Sequence, residues 1–259
     1  MKTYDELFQV RGSAYDRAMR RFPDARRQEF AQAIDAARLA PGAVVADVPA
    51  GGGYLRRYLP ADCVWLGHEP CASFNAHGST HAEGRDLLPL PWLDGSVDAA
   101  ISLAGVHHIA DKRPLFRDLF RVLRPAGRLV VSDVATGSPE ARFLDGYVGE
   151  HNSTGHEGAF LDDLTLDELR DAGFSNLQRH TRHFFWVFPE RHDMAAFCHQ
   201  LFDLRSSNID DTAGAIEGGL GIVEQADGGV GMRWSLLTLV GTKPSVMPAA
   251  DPAPAGAAH

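Results

Sequence analysis

ADVPAGGGYLRRYL, residues 46–59, carries an acidic residue at the end of an apolar run, turns through three consecutive glycines and then takes up a helical pattern. A strand, a glycine turn and a helix in that order let backbone come within contact distance of a ligand. Working outward, short apolar runs recur at AVVADV (43–48), CVWLGH (63–68), DAAISLA (98–104) and RLVVSDV (128–134), with a shorter run near 80–86 expected to supply another strand. Helical stretches separate them. KRPLFRDLFRVL (112–123) starts after the capping residue Asp111 and stops before Pro125 and Gly127, and LTLDELRDAGF closes at Gly173. The alternation predicts an α/β fold with a mostly parallel sheet covered on both faces. Before the first strand, Leu7, Val10, Ala14 and Ala18, then Phe30, Ile34 and Ala37, fall at helical spacing on either side of Pro23, which predicts two helices. RWSLLTLVGT (233–242) reads as a final strand.

Three carboxylates follow the strands. Asp47 ends the first, Glu69 lies at the end of the second where an acid can accept both hydroxyls of a ribose, and Asp86 is placed to accept from an exocyclic adenine amine. A nucleoside explains all three. The glycine loop has Arg56 where a dinucleotide fingerprint needs its third glycine, and no phosphate-binding GxxxxGK run occurs. The expected ligand is therefore an adenosine without a chain of phosphates.

With these residues in hand, the stretch from about 43 to 134 resembles the class I, Rossmann-like S-adenosylmethionine-dependent methyltransferases. ADVPAGGG matches the family's first loop, RDLLPLPWLDGSVDAAISLAGVHHIAD (85–111) its run from the adenine-side acid to a paired histidine, and FRDLFRVLRPAGRLVVSDV (116–134) its next helix and strand. The resemblance implies a seven-stranded sheet with a reversed last hairpin built from 175–185 and 233–242. It implies S-adenosylmethionine as cofactor, with Tyr15, Asp47, Pro49, Ala50, Gly51, Gly53, Glu69, Asp86, Leu87 and Leu103 as its contacts. Pro49 stands where the family usually has glycine; it fixes φ and removes a donor, so the loop geometry is expected to differ while binding is retained. Methyl transfer to an oxygen, nitrogen or carbon of a small molecule is the implied activity. A non-catalytic module that binds the cofactor or its product, and a cofactor-assisted reaction without transfer, are the alternatives.

Further candidates come from the residues. His107 and His108 follow a strand at its carboxyl end, where ligands sit in open α/β sheets, and either is a candidate base. YVGEHNSTGHEGAF (147–160) gathers Glu150, His151, Asn152 and His156, with His151 a third candidate base and the others candidate substrate contacts. Phe185 or Trp186 is a candidate floor for a flat substrate. Arg11 and Arg20 could reach a cofactor carboxylate, and neither is taken as a site residue. No metal site is expected, because no helical ligand spacing supports one.

The 259 residues hold 25 basic and 34 acidic side chains, a net charge of -9, which disfavours a nucleic-acid partner that would require a basic stripe. The three cysteines, Cys63, Cys71 and Cys198, form no CxxC spacing, and a reducing cytoplasm fits. No apolar stretch approaches the roughly 18 residues of a membrane span, and the first residues offer no export signal. Only Lys2, Lys112 and Lys243 are lysine, so Schiff-base chemistry is not expected. One domain is predicted over 1–243, with N-terminal helices in 1–40 and substrate-side insertions at 135–165 and 186–228. The proline- and alanine-rich 244–259 reads as a disordered tail.

Overall fold

Strands whose neighbouring residues are all apolar can be buried on both faces, and that is where the central ones lie. In the computed structural model, which describes residues 4–74, 86–226 and 228–245, the central parallel strands are β1 (Val44–Asp47), β3 (Val97–Leu103) and β4 (Leu123–Asp133), with β2 (Val64–Gly67) at the edge. Beyond them β5 (Ser175–Phe188), β6 (Ile222–Glu224) and β7 (Val230–Thr242) run antiparallel. The order is β2-β1-β3-β4-β7-β5, parallel as far as β4, with β7 lying antiparallel to both β4 and β5. This is the expected fold with its reversed hairpin. The seventh strand among the described residues is β6, three residues hydrogen-bonded to the start of β7, in a stretch read as an insertion. The strand expected near 80–86 lies outside the described residues up to 85, as does the tail from 246.

Side-chain alternation divides the core into two layers. Val45 and Val130 point to the layer that holds α2 (Arg27–Ala37) and the aromatic residues Trp186 and Trp234. Their neighbours Ala46 and Val131 point to the other, against Leu115, Phe116 and Leu119 of α3 (Arg113–Val122). α1 (Tyr4–Arg21) crosses the carboxyl ends of the strands and packs on the turn Ala72–Phe74. Gly12 makes that contact close: a Cβ there would lie 2.0 Å from Ser73 Oγ.

The segments read as insertions hold helices beyond the expected one that closes at Gly173. α4 (Pro139–Phe143) passes through a π turn (Leu144–Val148) into α5 (Gly149–His151), followed by α6 (Asp163–Asp171), α7 (Arg191–Leu201) and α8 (Ile209–Gly219). The helix expected after the glycine loop is instead a 3-10 run, Tyr54–Tyr58, which Pro60 soon stops. α3 begins one residue after the expected start, since the Asp111 carboxylate accepts from the Arg113 N–H at 3.2 Å.

Candidate functional site

The register places Asp47 beside Gly67 and Ile101, at the carboxyl end of the sheet. There a cavity runs along the glycine loop, walled by Asp47, Pro49, Ala50, Gly51 and Leu103 and roofed by Tyr4, Phe8 and Tyr15. Gly51 and Gly53 take φ of +53° and +72°, a region that favours glycine, and the space where a Gly51 Cβ would stand is open. Gly53 supports the turn through a bond from its N–H to Ala50 O at 2.9 Å. Asp47 is buried and accepts from Trp65 Nε1 at 3.1 Å. Burial pushes its carboxyl well above the ordinary range; the Trp65 bond opposes this and the nearby Glu69 charge adds to it.

Glu69 is 1 % exposed and already bonded. Its Oε2 accepts from the Gly51 N–H at 2.7 Å and from the Tyr4 hydroxyl at 2.8 Å, and its Oε1 from the Cys71 N–H at 2.8 Å. Asp86 is exposed and absent from the cavity wall; its carbonyl and that of Leu87 accept from His68 Nε2 at 3.3 and 3.0 Å. Leu87 packs into the α3 layer.

A second cavity adjoins the first and shares Phe8, Tyr15, Arg26 and Ala104 with it. Trp186, Phe202 and Trp234 supply its aromatic wall, with the two indoles stacked at 4.5 Å. Between the cavities Arg26 clamps Glu29 through two bonds of 2.9 and 2.6 Å, donates to the Tyr15 hydroxyl and lies over the Trp186 ring. Trp186 Nε1 completes the group by donating to Glu29 at 2.7 Å.

The polar end of this second cavity is a cluster of imidazoles. His107 Nδ1 meets Asp133 Oδ1 at 2.7 Å, and Asp133 Oδ2 accepts the His107 backbone N–H at 3.0 Å. Burial raises the Asp133 carboxyl, but the His107 charge and the hydrogen bonds together hold it below its ordinary value. An ionised Asp133 keeps the proton of His107 on Nδ1, which leaves the Nε2 lone pair free. His156 is likewise held by Asp145 at 2.7 Å. Burial, then His107, lower its pKa to about 4, and burial lowers that of His108 well below the usual range. Both are neutral at pH 7. Arg11 faces the same cavity with Nε and Nη1 buried and unpartnered among the described residues; burial lowers it to about 10.

An outer cleft reaches His108 and His156 from solvent past Leu7, Gly149 and Glu150. Glu150 is exposed on its wall. His151 turns away to Ser206 Oγ, 2.9 Å from Nδ1, and Asn152 Oδ1 accepts from the Thr154 N–H at 2.8 Å; neither lines a cavity described above. Phe185 stands on the face of β5 opposite Trp186, under Arg233, so of that aromatic pair Trp186 lines the cavity. Tyr4, Phe8, Arg26, Asp133 and Asp145 were missed. For Asp133 a signal existed: like Asp47, it is an acid ending a buried strand.

Residues 46–131 match the family of the methyltransferase domain. A ubiquinone/menaquinone biosynthesis C-methyltransferase of Geotalea daltonii is 24 % identical over 148 residues, 51 % of this chain and 59 % of that protein. The arsenite methyltransferase of Halobacterium salinarum is 27 % identical over 161 residues, 55 % of this chain and 40 % of that one. The chain thus spans less than two thirds of the length of these curated relatives. A solved S-adenosylmethionine-dependent methyltransferase of Thermotoga maritima superposes with a TM-score of 0.60 at 16 % identity, covering 93 % of this chain and 99 % of that one. Loop, strand order and matched residues agree: residues 46–131 carry a methyltransferase domain, and the chain is consistent with a class I, Rossmann-like S-adenosylmethionine-dependent methyltransferase.

Proposed function

We propose that the protein transfers a methyl group from S-adenosylmethionine to a small-molecule acceptor held in the aromatic and histidine-lined cavity. The observation that carries this reading is the shared wall of Phe8, Tyr15, Arg26 and Ala104, which sets two cavities end to end as a donor and an acceptor require. The first fits the cofactor: two buried carboxylates, Asp47 and Glu69, and open backbone at Gly51 suit a cationic amino group, ribose hydroxyls and a close approach. Bound there, the cofactor supplies a methyl already activated by its sulfonium.

What remains for the chain is to align, dry and deprotonate. Trp186, Trp234 and Phe202 exclude water and favour a flat acceptor. An oxygen or nitrogen acceptor loses its proton at the histidine cluster, where Asp133 orients His107; a carbon acceptor needs less help. The excess of acidic residues favours neutral or cationic small molecules over nucleic acid. No helix among the described residues is long and apolar enough to cross a membrane, and the free cysteines suit a cytoplasmic setting.

Calorimetry with S-adenosylmethionine and S-adenosylhomocysteine tests the donor half. Both should bind, and Glu69→Ala should weaken them by about 1.5–3 kcal/mol through loss of an ionised acceptor. A screen of phenols, amines and carboxylates for release of S-adenosylhomocysteine tests the acceptor half. Binding without turnover across the screen would favour the non-catalytic alternative; no binding of either nucleoside would end the proposal.

A further inference from the structure

Three imidazoles meet at the polar end of the acceptor cavity, and their donor nitrogens lie within 4.8 Å of one another. Ring centroids are 4.0 Å apart for His107 and His108, 5.5 Å for His107 and His156, and 5.4 Å for His108 and His156. Tetrahedral zinc with bonds of about 2.0–2.1 Å holds its nitrogens roughly 3.3 Å apart, a closure within reach of side-chain rotation. Two of the rings carry the outer partner that ligating histidines carry: Asp133 on Nδ1 of His107 and Asp145 on Nδ1 of His156, both at 2.7 Å, which leaves each Nε2 as the available donor. Neither ring nitrogen of His108 takes a hydrogen bond among the described residues.

We propose that His107, His108 and His156 bind a divalent zinc-type cation, with an anionic oxygen of the acceptor as its fourth ligand. Nitrogen donors select a borderline transition metal over magnesium or calcium. The carboxylates of Asp133 and Asp145 offset the added charge, and the outer cleft past Gly149 and Glu150 gives the ion a path from solvent. Arg11 sets the character of the last ligand. Its unpartnered Nε and Nη1 face the same cavity, so a phenolate, enolate or carboxylate would satisfy the guanidinium and the cation together. The choice of that ligand rests on the acceptor cavity proposed above; the metal site itself does not. The cation would lower the pKa of a bound acceptor hydroxyl, whose proton would pass to solvent water through the outer cleft, in place of His107 taking it.

The test uses the full chain stripped by a chelator and titrated with zinc against a chromophoric competitor, without cofactor. One equivalent should bind, magnesium should not compete, and cobalt(II) in its place should give the visible absorption of a tetrahedral site. His156→Ala and His108→Ala should each weaken zinc on the order of 100-fold, and Asp145→Asn, which keeps all three ligands, by about 10- to 100-fold. His156→Cys should restore binding and add a thiolate charge-transfer band in the cobalt form. His192→Ala is the control, because Glu190, His192 and Asp193 form a second, largely exposed group of donors. Circular dichroism of each variant separates lost folding from lost ligation. Absence of zinc binding, or binding lost in His192→Ala but kept in His156→Ala, overturns the proposal. Retained zinc with no nucleoside affinity overturns the methyl-transfer reading and leaves the metal site standing.

Discussion

Asp47 is the residue on which stability and function pull apart. Burial keeps its carboxyl protonated to a higher pH than in the unfolded chain, where it ionises near pH 4. The stability it contributes is therefore complete below about pH 4 and is lost as pH rises through the folded value. Asp47→Asn should raise the melting temperature by a few degrees, more at pH 8 than at pH 5, while weakening cofactor binding. An equal shift at both pH values in thermal unfolding would mean that the carboxylate is not destabilising when ionised. Asp47 and Glu69 were legible in the sequence because each follows a short apolar run, and position at a strand end is a local property. Arg26 was not, since its partners Glu29 and Trp186 lie 3 and 160 positions away and only folding brings the second to it. His156 was noticed, but as part of a polar loop; its approach to His107 depends on Asp145 in the π turn.

Among the elements, α1 lines the cavity along the glycine loop with Tyr4, Phe8 and Tyr15. Ser73 Oγ donates to Phe8 O at 2.6 Å, directly where Gly12 approaches, so an added methyl must turn that hydroxyl out of its bond or shift the helix. Gly12→Ala should cost about 1–3 kcal/mol, read as a drop in melting temperature, and should speed hydrogen exchange in α1. Saturating cofactor should slow exchange over residues 4–21; unchanged protection there would remove the helix from the site. The two N-terminal helices were readable from their apolar spacing. The helical continuation to His151 was not: a π turn at Leu144–Val148 inserts an extra residue per turn and shifts the phase that a helical pattern would show. Similarly, glycines and Pro60 confine the stretch after the loop to five 3-10 residues, although YLRRYL has ordinary helical composition.

Across the whole molecule, stability follows position in the sheet. Leu239 is fully buried on β7 between β4 and β5, whereas Val64 on the β2 edge is 50 % exposed. Leu239→Ala should cost about 2–5 kcal/mol and Val64→Ala within about 0.5, as measured by denaturant unfolding. Comparable costs would mean that the sheet does not unfold as one unit. The parallel part of the sheet was legible because apolar runs alternate with helices, and the reversed hairpin through the family resemblance, while the short β6 was not, three residues being too few for a period. The Tyr4 hydroxyl donates to Glu69 Oε2 from the first turn of α1. The acid that would receive a ribose already holds a hydroxyl tethered to the first turn of α1, so the site contains its own competitor at an effective concentration of millimolar order or above. Apparent cofactor affinity is then the intrinsic affinity reduced by the fraction of molecules in which the tyrosine is seated. Whatever draws that turn outward would raise occupancy at a fixed cofactor concentration, without altering one atom of the nucleoside's own contacts.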